Sequence, residues 1–175
     1  MDMRVSPKVK MKLVMVGNGM AGVRALEELL QPAPDLYDIE VFGAEPHPNY
    51  NRILLSPVLA GEQKLEEIIL NDWEWYQEHQ IKLHAGYKVV RVDRTKRLIQ
   101  AQNAQGAVVQ TTYDRLILAT GSNPFILPVK GHDLAGVLAY RDIADTQAMI
   151  EAAGKYQQAA VIGGGLLGLE AANGL

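Results

Sequence analysis

The stretch "KLVMVGNGMAG", residues 12 to 22, decides the fold. Leu13 to Val16 is a short, unbroken apolar run, the pattern of a strand covered on both faces in a parallel sheet. It runs into Gly17, Gly19 and Gly22, spaced G-x-G-x-x-G. Behind them, Met20 to Leu30 places Val23, Leu26, Leu29 and Leu30 at helical spacing, and Pro32 and Pro34 stop the helix. "YDIEVFG" (37 to 43) supplies a second strand, so the segment reads as a βαβ unit with a right-handed crossover.

Strand, glycine turn and helix in that order suit one ligand chemistry. The first N–H groups of a helix have no partner within it, and the helix dipole favours a negative charge beside them. Side chains at the turn would keep a diphosphate away from those donors. Gly17 permits the tight turn, Gly19 removes a Cβ from beneath the phosphates, and Gly22 lets helix and strand pack closely. Each glycine costs about 1 kcal/mol against alanine in a helix, so three at this spacing point to dinucleotide binding rather than to a merely flexible turn. The acid that holds the ribose hydroxyls is expected at the end of the second strand, about 20 residues on. Gly43 stands there, which makes Glu45 the candidate; a solvated loop carboxylate is its other reading. Glu40 lies within the strand, toward one side of the sheet.

The bulk composition excludes several classes. The 175 residues are 48% hydrophobic and 21% charged, a globular balance, and the net charge of -3 gives no electrostatic reason to expect nucleic acid as partner. No apolar run approaches the roughly 20 residues that span a bilayer, so no membrane partner is expected. Arg4, Lys8, Lys10 and Lys12 precede an apolar run that stops at Gly17, too short for a secretory signal. Residues 1 to 10 therefore read as a flexible basic tail of a cytoplasmic protein. With no cysteine, these residues hold no redox disulfide, thiolate nucleophile or Cys-based cluster. The four histidines (47, 79, 84 and 132) lack metal-ligand spacing and read as loop or surface residues.

Further along, "LSPVLAG" predicts a short helix with Pro57 in its first turn, residues 64 to 79 carry helical spacing, and "IKLHAG" reads as a strand. "KVVRVD", "RLIQAQ" and "AVVQTTY" alternate and predict an antiparallel meander. "RLILAT" returns to the apolar pattern of a central parallel strand, and an extended linker follows. "DIADTQAMIEAAG" predicts a helix capped by Asp142 and stopped at Gly154. Finally "QAAVIGGGLLGLEAANGL" begins a second strand–glycine–helix unit whose strand has nothing to pair with, so the chain is expected to be a piece of a longer protein.

The two fingerprints, Gly17-x-Gly19-x-x-Gly22 and Gly163-x-Gly165-x-x-Gly168, flank the meander and "YDRLILATG" (113 to 121). That order resembles the pyridine nucleotide-disulfide oxidoreductase superfamily. The resemblance implies an α/β fold: a Rossmann-like, three-layer FAD-binding fold with a β-meander insertion, truncated at the start of a second, NAD(P)-binding domain. It implies an FAD-binding segment over 11–141, with the meander at about 87–113, and a connecting helix and incomplete NAD(P) domain over 142–175. Gly17, Gly19, Met20, Ala21 and Gly22 would then lie along the FAD pyrophosphate, with Glu45 on the ribose and the Val89 backbone at the adenine. Ala119, Thr120 and Gly121 would pass close to the flavin nucleotide. Gly163, Gly165, Leu166, Leu167 and Gly168 would take NAD(P)H, with Glu170 near the nicotinamide.

Residues 45 to 60 lack the cysteines of the disulfide-reducing branches. "YNRILLSPVLAG" instead resembles the rubredoxin and ferredoxin reductases, in which the arginine, here Arg52, approaches the flavin; a surface arginine is its other reading. Those ferredoxin reductases usually carry lysine where this chain has Pro57. "VFGAEPHPNYNRILLSPVLAGE", "ATGSNPFILPVKG" and "GGGLLGLEAANGL" resemble the N-terminal part of the large subunit of NAD(P)H-dependent nitrite reductases. This implies electron flow from NAD(P)H through flavin to iron–sulfur and sirohaem centres in downstream domains, for nitrite reduction to ammonia. A small subunit and a homo-oligomer are further partners on that reading. No general acid, base or metal site is expected among these residues, and the isolated piece is expected to be inactive. Two rivals stay open: a rubredoxin/ferredoxin reductase-type flavoprotein, and a cofactor-free interaction module of the same fold.

Overall fold

A computed structural model describes residues 9–175; most of the expected basic tail lies outside the described residues. The elements in chain order are β1 (Met11–Val16), α1 (Met20–Leu30), β2 (Tyr37–Gly43), β3 (Asn49–Tyr50), a 3-10 turn (Arg52–Leu54) and α2 (Leu55–Leu59). A second 3-10 turn (Leu65–Ile68), β4 (Ile69–Asn71), α3 (Trp73–Glu78) and β5 (Ile81–Ala85) follow. Then come β6 (Lys88–Asp93), β7 (Leu98–Gln102), β8 (Val108–Thr112), β9 (Arg115–Leu118), α4 (Ile143–Ala153) and α5 (Leu166–Gly174). The chain forms two compact units, one of the residues up to Asn49 with Asn71–Gly121, the other of Tyr50–Leu70 with Ser122–Leu175.

The first unit has three layers. Its parallel sheet runs in the order β5-β2-β1-β9, with Leu13 opposite Ile39 and Arg115, and Ile39 opposite Ile81. Side chains alternate across a strand. Leu13 and Met15 therefore meet Val23, Leu26 and Leu30 of α1 together with Tyr76 of α3. Val14 and Phe42 point the other way and meet Ile99 and Ala101 of the antiparallel β6-β7-β8 meander. Both faces of β1 are thus dry, which is why its sequence is apolar at consecutive positions. Each such side chain contributes about 1.5–3 kcal/mol on burial.

In the second unit, Tyr50, Leu55, Val58 and Ile68 pack with Ile143 of α4, while Leu59, Met149 and Ala171 bring α2, α4 and α5 together. Asp142 accepts from the Asp145 N–H, and the Asp145 carboxylate accepts from the Asp142 N–H, a reciprocal cap; Gly154 closes the helix.

Two expectations fail. Residues 64 to 79 are not one helix: only Trp73–Glu78 is α-helical, started by Asp72, whose side chain accepts from the Trp75 N–H. Ahead of it a single 3-10 turn ends on the buried Ile68, and the chain then runs extended through Ile69–Asn71, where β-branched Ile69 disfavours helix. Residues 159–163 form no strand, and Ile162 is 79% exposed.

Candidate dinucleotide-binding turns

The first glycine turn leaves the carboxyl end of β1, with the Gly17 N–H donating to the Phe42 carbonyl at 2.8 Å and the Ala119 N–H donating to Val16 at 2.8 Å. β2 and β9 flank β1 on opposite sides, so the turn sits at the point where the strand order reverses, where open α/β sheets bind ligands.

The three glycines there have three different reasons. Gly17 has φ of +108°, and a Cβ on it would lie 2.0 Å from the Ala119 carbonyl oxygen. On Gly22 a Cβ would press on the Ala119 Cβ and the Met15 sulfur, both at 3.0 Å, and on the Gly17 carbonyl at 3.2 Å. Around Gly19 nothing lies within 4 Å of a Cβ. Packing therefore requires the first and third glycines, while the middle one leaves open space at the end of α1.

That end is unfilled by protein. Gly19 is the N-cap of α1; no side chain caps the helix and its first turn holds no acid. The longer capped helix α4 and the short α3 both carry an aspartate at this place. The N–H groups of Met20, Ala21 and Gly22 thus open onto the room beside Gly19, a fit for a diphosphate.

Asn18, which the sequence reading passed over, shapes this turn. Its Nδ2 donates to the His47 carbonyl at 3.3 Å, and the buried Tyr76 hydroxyl donates to its Oδ1 at 2.7 Å. Burial pushes the Tyr76 phenol up to about 12, so it remains a donor. A Cβ on Gly43 would lie 2.9 Å from the Asn18 Cβ, so the close approach of Asn18 leaves no room for a side chain at the end of β2. Glu45 is half-buried just beyond β2, where its carbonyl accepts from the Gly86 N–H at 2.9 Å. Val89 lies on β6 beside a register shift and packs on the Val14–Phe42 cluster. Ala119, Thr120 and Gly121 continue from β9, Ala119 directly against Gly17.

The same sheet holds a buried charge cluster. Glu40, 5% exposed, takes the Lys12 ammonium at 2.6 Å and His84 Nε2 at 3.0 Å, with Thr111 Oγ1 at 3.5 Å. His84 is not the surface or loop residue expected from sequence; it stands on β5, stacked on Phe42 at 4.2 Å. Burial pushes its imidazole down, against the pull of Glu40. The aspartate beside Tyr113 is structural: Asp114 Oδ2 accepts from the Lys12 N–H at 2.7 Å.

The second unit repeats the turn. Gly163 has φ of +134°, and Gly165 caps α5 at φ −78°, ψ 173°, against −91° and 173° for Gly19. Again no side chain caps the helix, no acid lies in its first turn and a Cβ on Gly165 meets nothing, while one on Gly168 would lie 2.0 Å from the Gly163 carbonyl oxygen. Leu166 and Leu167 open the helix, both exposed. Glu170 accepts from the Ser56 hydroxyl at 2.5 Å, and the Tyr140 hydroxyl donates to Ser56 at 3.1 Å. Arg52 donates to the Arg141 carbonyl at 2.6 Å, its guanidinium 5.1 Å above the Tyr50 ring. No helix among the described residues is long and apolar enough to cross a membrane.

Comparison with known proteins agrees with this geometry. Over 168 residues the chain is 56% identical to the nitrite reductase [NAD(P)H] of Bacillus subtilis, covering 95% of this chain and 20% of that protein. It is 38% identical over 167 residues to the nitrite reductase (NADH) large subunit of Escherichia coli, covering 95% of this chain and 19% of the relative. The chain thus spans about a fifth of the length of these relatives. Among solved structures, the water-forming NADH oxidase of Lactobacillus brevis superposes with a TM-score of 0.85 at 24% identity, over 94% of this chain and 37% of that one. The sequence profile of one family matches residues 11–175 from the first strand to the end, and the chain belongs to that family, the pyridine nucleotide-disulphide oxidoreductases.

Proposed function

We propose that this chain is the FAD-binding part of an NAD(P)H-dependent nitrite reductase, together with the opening of its NAD(P)H-binding domain. The observation that carries the reading is the open space at Gly19, on a helix end without a side-chain cap. Residues 11–141 would hold FAD and 142–175 would begin the NAD(P)H domain.

The N–H groups of Met20, Ala21 and Gly22 bind and orient the FAD diphosphate. Glu45 accepts from the adenosine ribose hydroxyls, the Val89 backbone meets the adenine, and Ala119–Gly121 line the nucleotide's path. The second turn, Gly163 to Gly168, takes the NAD(P)H diphosphate in the same manner, with Glu170 set near the nicotinamide. FAD, when bound, supplies the exchange between a two-electron hydride donor and one-electron acceptors. The protein's part is position and exclusion, and none of these residues needs to move a proton. In the longer protein, electrons would pass on to iron–sulfur and sirohaem centres and to nitrite.

The test is the full-length protein, purified and titrated anaerobically with NADH and with NADPH. The reading expects a flavin spectrum that bleaches with one of the two, followed by recovery of colour and formation of ammonium on adding nitrite. A protein without flavin, or a flavin that neither nucleotide bleaches, contradicts it.

A further inference from the structure

Glu170 is held in an unusual way for an exposed carboxylate on an apolar helix. Its neighbours on α5 are Leu166, Leu167 and Leu169, all exposed, and it makes no ion pair among the described residues. Among the described residues, the Ser56 hydroxyl donates a hydrogen bond to its Oε2. Ser56 in turn receives the Tyr140 hydroxyl. A serine hydroxyl has a single proton. Once it gives that proton to the carboxylate, it can hold Tyr140 only as an acceptor, so the direction of the whole chain is fixed: Tyr140 to Ser56 to Glu170. Burial, opposed by the bond to Ser56 and aided by the Glu170 charge, raises the Tyr140 phenol, which keeps its proton and remains the terminal donor.

The three residues come from three places: α2, the approach to α4, and α5. Their backbones are fixed independently of the relay. Ala171 packs with Leu59 and Met149, and a Cβ on Gly174 would come within 2.8 Å of the Leu59 side chain. Hydrophobic contact therefore already docks α5 on α2, and the polar chain beside it is not needed for that docking. What it adds is an orientation: one carboxylate oxygen is occupied by a neutral donor, and the negative charge is left uncompensated. Glu170 lies five residues beyond the Gly165 cap, about 7 Å along the helix from the open turn.

We propose that Tyr140 and Ser56 are positioning residues that aim the Glu170 carboxylate as an acceptor, and that a nucleotide held by the second glycine turn is therefore bound more tightly with an oxidised, cationic nicotinamide beside Glu170 than with the neutral reduced ring. The inference rests on the reading of Gly163–Gly168 as the NAD(P)H turn. An ammonium partner would cancel the charge and with it the preference; two hydroxyls orient the carboxylate and leave the charge in place. If hydride passed from the neutral dihydronicotinamide to the flavin, the positive charge left on the nicotinamide ring would be stabilised by the same carboxylate, which would favour that transfer.

The experiment is equilibrium binding of NAD+ and of NADH to the FAD-loaded full-length protein, read by protein fluorescence under anaerobic conditions and, for NADH, with flavin already reduced. The quantity is the ratio of the two dissociation constants. Glu170→Gln is expected to shift that ratio by roughly fivefold toward NADH, the size of a screened charge contact. Ser56→Ala should give a similar shift, Tyr140→Phe about half of it on a logarithmic scale, and Ser56→Thr, which retains the hydroxyl, should restore the parent ratio. Melting temperatures check that α5 stays docked in each variant. Equal ratios in all four variants with intact binding overturn the inference and leave the functional reading standing. A protein that binds neither nucleotide removes both.

Discussion

Replacing Glu40 with glutamine tests how the sheet is locked to the meander. The substitution keeps shape and deletes one charge. Glu40 faces Lys12 at 2.6 Å, His84 at 3.0 Å, Thr111 at 3.5 Å and Lys82 at 3.9 Å. Burial alone would raise its carboxyl, but hydrogen bonds from Lys12 and His84 and the charges of Lys12 and Lys82 outweigh this and hold it below its ordinary 4.5. Because the folded value is depressed, the stabilisation is complete above 4.5 and is lost as pH falls through the folded value. Removing one partner of a fully buried pair costs about 3–5 kcal/mol. The Lys12 side chain is 28% exposed and can turn toward water, which reduces the expected loss to about 2 kcal/mol. For a domain of this size that is a fall of about 6 °C in melting temperature at pH 7. Thermal unfolding of parent and variant from pH 7 down to pH 3 should show the gap close as the parent carboxylate takes up its proton. A gap below about 1 °C at pH 7, or one that stays constant into acid, refutes the assignment.

Three further outcomes concern stability alone. Gly22→Ala gains about 1 kcal/mol of helix propensity but crowds Ala119 and Met15, for about 2 kcal/mol of overpacking, so urea unfolding should show a net loss near 1 kcal/mol; Gly17→Ala, forced against a backbone carbonyl at positive φ, should not yield folded protein. Asp142→Ala removes the side-chain half of the α4 cap, leaving the Asp145 carboxylate on the residue 142 N–H, and should cost about 1 kcal/mol, seen as faster amide exchange confined to the first turns of that helix.

The elements that read clearly in the sequence are those whose signals are local. β1, α1 and β2 fall at the predicted residues because an apolar run, three glycines and two prolines each act within a few positions. The α4 caps and the meander were legible for the same reason. Residues 64–79 depart from the helical spacing because apolar periodicity competes there with two isoleucines and a new cap at Asp72, and only the packing of Ile68 decides between them. The contacts that were missed are long-range. Asn18 and Tyr76 are 58 positions apart, Ser56 and Glu170 114, and Glu40 and His84 44, so no window of sequence joins them. His84 in particular reads as polar and exposed until Phe42 is stacked on it.

Gly19→Ala in the full-length protein weighs most directly on the claim that bare amides at the mouth of the first turn receive a diphosphate. The added methyl meets no protein atom, so the melting temperature should stay within about 3 °C of the parent, the small loss coming from a poorer N-cap. The dissociation constant for FAD, measured by fluorescence titration of the apoprotein, should rise by more than about tenfold. An unaltered constant with an unaltered melting temperature would contradict the account.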